Sequence, residues 1–311
     1  MKKRLITGIV MLAVLVPLIV IDHTIYPFVG YAFLALGIFL SMVASYEMMN
    51  MFYTRYKSIG SLRFIIPFFS GILVYTIYLS TTQTLRFSHP GNANIIYHLL
   101  TMGLFIIFVI FSLAYSIFTK ESTAKDMMSS ILTLTYCGLI MGYVINIRFL
   151  EPLSNEQGLI YFRGGRSFGY LYTIVASTDI FAYLIGIKFG KHKLCPDISP
   201  KKTVEGAIGG FIAGSILGVG SAFLLGILHP KTGREYFITI TGALLVSMII
   251  SFAVQVGDLV ASKLKRTYQI KDFGNIFPGH GGVLDRFDSL IFSGAVYYIL
   301  VLIIQLFYIW K

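Results

Sequence analysis

An all-α, polytopic integral membrane protein is the fold class this sequence predicts, and two observations carry it. Of 311 residues, 56% are hydrophobic and 13% charged, whereas soluble domains carry about 25% charged residues. Nine apolar stretches of about 20 residues each match hydrocarbon roughly 30 Å thick at about 1.5 Å rise per residue. They cover roughly 5–21, 27–45, 62–80, 95–118, 129–147, 168–188, 207–228, 237–257 and 290–310. The first five form an expected scaffold over residues 1–150; the last four form an expected catalytic membrane domain over 151–311, with a polar stretch at 258–288.

Lys2-Lys3-Arg4 before an apolar run has the form of a secretory signal, but no small-residue cleavage site follows before Asp22 and His23, so the run is read as an uncleaved first span. Spans one to five are rich in Phe, Ile, Leu and Met, with Pro17 and Pro67 inside apolar runs. They read as lipid-facing scaffold and oligomer surface; a homodimer is the expected assembly. Glu47, at the end of span two, is read as interfacial.

Carboxylates concentrate in the second half. Asp179 lies near the middle of span six, about 13 Å from its end at helical rise. An ionisable group at that depth is costly unless paired or wet. It is either an inward-facing acid in a wet cavity, the favoured reading, or a protonated acid bonded to Ser177 or Thr178. The loop after span six supplies Lys188, Lys191, His192, Lys193, Lys201 and Lys202, then Thr203 and Glu205 at the start of span seven. Cations feeding a helix N-terminus suit a polyanion, although topology alone also places lysines there. Span seven carries Gly206, Gly210, Gly214 and Gly218 at four-residue spacing, which close helix packing explains. Asp258 and Ser262 stand at the end of span eight. Asp285 and Asp288 open span nine, three apart and on one face if that turn is helical. Asp285 is either a helix cap or, with Asp258 and Asp288, part of an Mg²⁺–phosphate site, because Mg²⁺ takes carboxylate and phosphate oxygens.

The net charge of +11 records orientation here rather than a nucleic-acid partner. With a cytoplasmic amino terminus and nine crossings, 18 of the 25 Lys and Arg fall on the cytoplasmic side, as the positive-inside rule favours. Arg148, Arg163 and Arg166 fit that scheme less well. The expected location is the plasma membrane, with the polar stretch facing the cytoplasm. Cys137 and Cys195, without CxxC or Cys/His spacing, imply no disulfide and no zinc site.

Residues 262–288 read SKLKRTYQIKDFGNIFPGHGGVLDRFD, and so long a polar loop in an apolar chain is either disordered or functional. Ser262, Leu264, Lys265-Arg266, Lys271-Asp272, Gly274, Phe277-Pro278, His280-Gly281-Gly282, Asp285-Arg286 and Asp288 resemble the signature of the phosphatidate cytidylyltransferases, or CDP-diacylglycerol synthases. Ser199-Pro200-Lys201-Lys202-Thr203 with Glu205-Gly206 resembles a second family motif, with Val204 where the family often has Trp and Ala261 where it often has an acid.

The resemblance implies conversion of CTP and phosphatidic acid to CDP-diacylglycerol and pyrophosphate at the bilayer surface. It implies catalytic roles for Asp258, Lys265, Arg266, Asp285 and Asp288. Substrate contacts would come from Lys201, Lys202, Thr203, Ser262, Lys271, Asp272, His280 and Arg286, and a two-cation Mg²⁺ site from Asp258, Asp285, Asp288 and Asp179. His280 either holds a phosphate or braces the loop. The rivals are a CTP-dependent kinase of a polyprenol-type lipid and an ion-coupled transporter, whose polar residues would be spread along a path.

Overall fold

In the computed structural model the described residues are 2–55, 60–82, 92–119, 122–150, 164–228, 233–277, 279 and 281–309. They form a helical polytopic membrane protein with eight helices long and apolar enough to cross a bilayer; the described apolar part of the first helix, Gly8–Val20, is shorter. Nine spans were expected from composition; the difference lies in that first helix.

The chain divides into two compact units. The first holds residues 1–149 and 267–287, so the polar loop clusters with the amino-terminal helices although its sequence lies in the second half. Its helices are α1 (Lys2–Val20), α2 (Pro27–Arg55), α3 (Leu62–Thr82), α4 (Asn92–Phe118), α5 (Ala124–Thr133) and α6 (Met141–Asn146). Between α5 and α6 the chain widens into a π-helical segment, Leu134–Ile140. Gly138 and Gly142 face α3 there: a methyl group at Gly142 would come within 2.6 Å of the Ile77 side chain. The Cys137 carbonyl accepts from Ser41 Oγ at 2.7 Å, satisfying a backbone group that lipid would not.

Arg148 explains its poor fit to the orientation count. It is 1% exposed and its guanidinium donates to the Leu18 carbonyl at 3.2 Å, to the Ile21 carbonyl and to His23 Nδ1 at 2.8 Å. A cation on the last carbonyls of α1 complements the negative end of that helix, so its charge is absorbed inside the first unit. Arg163 lies outside the described residues. Arg166, in the second unit, donates to the Gly226 carbonyl at 3.2 Å.

The second unit holds residues 150–266 and 288–311. Its helices are α7 (Gly164–Phe189), α8 (Val204–Leu224), most of α9 (Arg234–Thr267) and most of α10 (Leu284–Ile309). The loop after α7 is an antiparallel hairpin of β1 (Lys193–Cys195) and β2 (Ser199–Thr203), pairing Lys193 with Thr203. The spaced glycines of α8 lie on α7: a methyl group at Gly210 would come within 2.6 Å of the Thr178 carbonyl. Backbones that close gain packing where lipid offers no hydrophobic drive. Short polar links, Thr178 Oγ1 to Ser251 Oγ at 2.8 Å and Tyr170 OH to Ser247 Oγ at 2.8 Å, tie α7 to α9.

Candidate active site

Gly257 sets the geometry of the second unit's polar cluster. A methyl group there would meet Phe292 Cβ at 2.6 Å and the Asp288 carbonyl at 3.2 Å, so only glycine lets α9 and α10 approach at this level. The next residue, Asp258, and Asp288 on the facing helix are thereby held in one neighbourhood. Asp179 of α7 joins them, with Ser289 Oγ 3.4 Å from Asp179 Oδ2, and the charge of Asp258 reaches both other acids. Asp179 lies midway along α7 and within reach of the other acids rather than alone in the span.

Two lysines stand among the acids. Lys202, from β2, pairs with Asp258 Oδ2, and Lys265, in the last turn of α9, approaches Asp288 Oδ2 at 3.8 Å. The side chains of Lys265 and Asp288 are each only 13% exposed, so this is a largely desolvated pair whose partners each need the other. Ser262 lies one helical turn beyond Asp258, its Oγ 3.4 Å from Asp258 Oδ1. Arg266 donates from Nε to the Ile198 carbonyl at 3.3 Å, joining the end of α9 to the hairpin. Thr203 is the N-cap of α8: its hydroxyl accepts from Gly206 N–H at 3.1 Å, as short hydroxyl residues do at this position. Glu205 accepts from the amides of Lys191 and His192 and lies 2.6 Å from His192 Nδ1, pinning the hairpin's entry. Lys201 is exposed on β2.

The remaining sequence-selected residues belong to the first unit's loop. Helix takes both ends of the stretch, up to Thr267 and from Leu284, so the described non-helical part is 268–277, 279 and 281–283. Asp285 Oδ2 accepts from Phe273 N–H at 2.7 Å and Gly282 N–H at 3.0 Å. Gly281 has φ +85°, a conformation costly for any residue with a Cβ, and a methyl group there would press on Asp285 Oδ2 at 2.9 Å. Phe277 N–H donates to the Gly281 carbonyl at 2.9 Å, closing the loop. Lys271, Asp272 and Arg286 are exposed. Pro278 and His280 lie outside the described residues.

One participant in that loop was not among the site residues selected from the sequence. Glu47 is 3% exposed, with Oε1 accepting from Val283 N–H and Oε2 from Leu284 N–H, both at 3.0 Å. The available signal was an ionisable residue in an apolar run. Ending span two near residue 45 hid it, because α2 continues to Arg55.

Among the described residues, no three His, Cys, Asp or Glu side chains converge closely enough to enclose a metal ion. The donor chemistry still fits Mg²⁺, which keeps several waters and uses one or two carboxylates plus substrate phosphates rather than an all-protein cage. Asp258 and Asp288 are carboxylates of that kind, with Asp179 beside them.

The chain is therefore a multi-pass helical membrane protein whose second unit brings three acids and two lysines together. The Cytidylyltransferase family matches it over residues 2–304. A phosphatidate cytidylyltransferase of Bacillus subtilis (strain 168) is 33% identical over 301 residues, covering 96% of this chain and 97% of that one. Proteins of the same name from Staphylococcus haemolyticus (strain JCSC1435) and Staphylococcus aureus (strain COL) are 31% and 30% identical, covering 94% of this chain and 95% of each relative. The chain belongs to the cytidylyltransferase family and is an enzyme.

Proposed function

We propose that the chain converts CTP and phosphatidic acid to CDP-diacylglycerol and pyrophosphate, at the cytoplasmic face of the plasma membrane. The observation that carries this reading is the set of three acids and two lysines, Asp179, Asp258, Asp288, Lys202 and Lys265, brought together by three helices and a hairpin of one unit. A phosphate oxygen of the lipid attacks the α-phosphorus of CTP, the bond to the β-phosphate oxygen breaks, and pyrophosphate leaves with that electron pair. No protein nucleophile is required. Lys202 and Lys265 exchange their carboxylate partners for phosphate oxygens as the nucleotide enters, offsetting its charge. Gly257 holds Asp258 and Asp288 at their separation, and Ser262 orients Asp258. A divalent cation held by Asp258 and Asp288, with Asp179 nearby, would when bound supply charge neutralisation on the triphosphate. The relatives' name supports the lipid phosphate as acceptor.

Pyrophosphate release from CTP by the purified chain in detergent tests this reading. Release is expected only when phosphatidic acid and Mg²⁺ are both present; formation of CDP and a phosphorylated polyprenol, with no pyrophosphate released in the presence of phosphatidic acid, contradicts it.

The cations separate by the same assay. Arg266 lies at the hairpin, and Arg266→Ala should lower kcat/KM for CTP about tenfold, the scale of one charge-assisted contact. Arg266→Lys should recover part of it, because a point charge lacks the planar fork. Exposed Lys188, whose Nζ is 5.3 Å from the Phe189 ring centroid, should tolerate Ala within twofold. Equal damage in Lys188→Ala and Arg266→Ala would misplace the site boundary.

A further inference from the structure

We infer that Glu47 is a positioning residue for the reaction, holding the loop 273–284 and the first turn of α10 in their working conformation; this rests on the proposed function above. Glu47 reaches from α2 in the first unit to a segment more than 200 residues away in sequence. Its two oxygens take the N–H groups of Val283 and Leu284, at the N-terminal end of α10. Such groups have no partner within their own helix, and a carboxylate there also meets the positive end of the helix dipole.

Two glycines show that the loop is built around this carboxylate. A methyl group at Gly274 or at Gly282 would run into the Glu47 carboxylate. Backbone from both ends of the loop thus lies directly against one buried acid. A buried acid is tolerated when it is hydrogen-bonded, and Glu47 meets that condition only while the loop is closed on it. Asp285 fastens the same loop through Phe273 and Gly282, so two acids on different helices fix one backbone conformation. The turn that Glu47 caps leads, four residues on from Leu284 in the same helix, to Asp288. Functional groups held by supports of this kind lose rate when the support slackens, before the fold is lost.

The test uses the full chain in detergent, comparing wild type with Glu47→Gln and Gly282→Ala. Gln keeps the size of Glu but presents an N–H₂ to one of two N–H donors; Ala at 282 displaces the carboxylate from the loop side. Each variant is expected to lower kcat at least tenfold with KM for CTP changed less than threefold. Each should speed amide hydrogen exchange in the segment 273–287, with the thermal midpoint of the whole chain little changed. A kcat within twofold of wild type overturns the inference. So does unchanged exchange in 273–287, and so does a global loss of stability in both variants with kcat per folded molecule preserved. Wild type failing to release pyrophosphate would instead sink the proposed reaction, while the exchange comparison would still decide whether Glu47 holds the loop.

Discussion

Asp288→Asn and Asp258→Asn should each lower turnover about a hundredfold or more, roughly 2.7 kcal/mol of barrier or above, with the chain still folded and inserted. The substitution keeps side-chain shape, so the Gly257–Phe292 approach between α9 and α10 is undisturbed. What it removes is negative charge beside Lys265 or Lys202 and a hard oxygen donor for a divalent cation. Initial rates with saturating CTP and phosphatidic acid, beside the elution profile in one detergent, provide the check. If both variants retain more than a tenth of wild-type activity, these acids are not the reacting cluster.

Lys265→Ala should lower kcat/KM for CTP by about ten- to a hundredfold, corresponding to roughly 1.5–3 kcal/mol for a charge-assisted contact. Lys202→Ala should act in the same direction but less, because its pair is wetter: Lys202 and Asp258 are 28% and 30% exposed, against 13% for both Lys265 and Asp288. Removing Lys265 also takes away the cation beside Asp288. The double variant Lys265→Ala with Asp288→Asn should therefore be clearly less impaired than the product of the two single effects, since residues sharing one interaction do not add. Strict multiplicativity would mean that the pair acts at two independent places.

Much of this was legible in the chain. The helical membrane class followed from apolar length alone, because hydrocarbon forces backbone groups to pair within each segment. The spaced glycines of α8 announced close packing, and Thr203 and Glu205 stood where a helix start was expected. The acids Asp258 and Asp288 stood out because ionisable residues near membrane spans are rare. Other features depended on long-range contacts that composition does not encode. Arg148 looked like a misplaced surface charge because nothing local shows that it closes the end of α1. Asp285 and Asp288, three apart, invite the same role. Yet the Asp285 carboxylate is bonded to the amides of Phe273 and Gly282, while that of Asp288 approaches Lys265. The hairpin β1–β2 is too short for alternation to reveal. Glu47 was hidden because its partners are backbone amides more than 200 residues away, and no side-chain pattern marks an amide as a partner.

Position-specific labelling of CTP tests the central claim most directly. Purified chain in detergent, with phosphatidic acid and Mg²⁺, is supplied with CTP labelled at either the α- or the γ-phosphate, and the extracted lipid is counted. The α-label is expected in the lipid fraction and the γ-label in pyrophosphate. A γ-label in the lipid, with the α-label left on a soluble nucleotide, would make the chain a CTP-dependent lipid kinase and contradict the account.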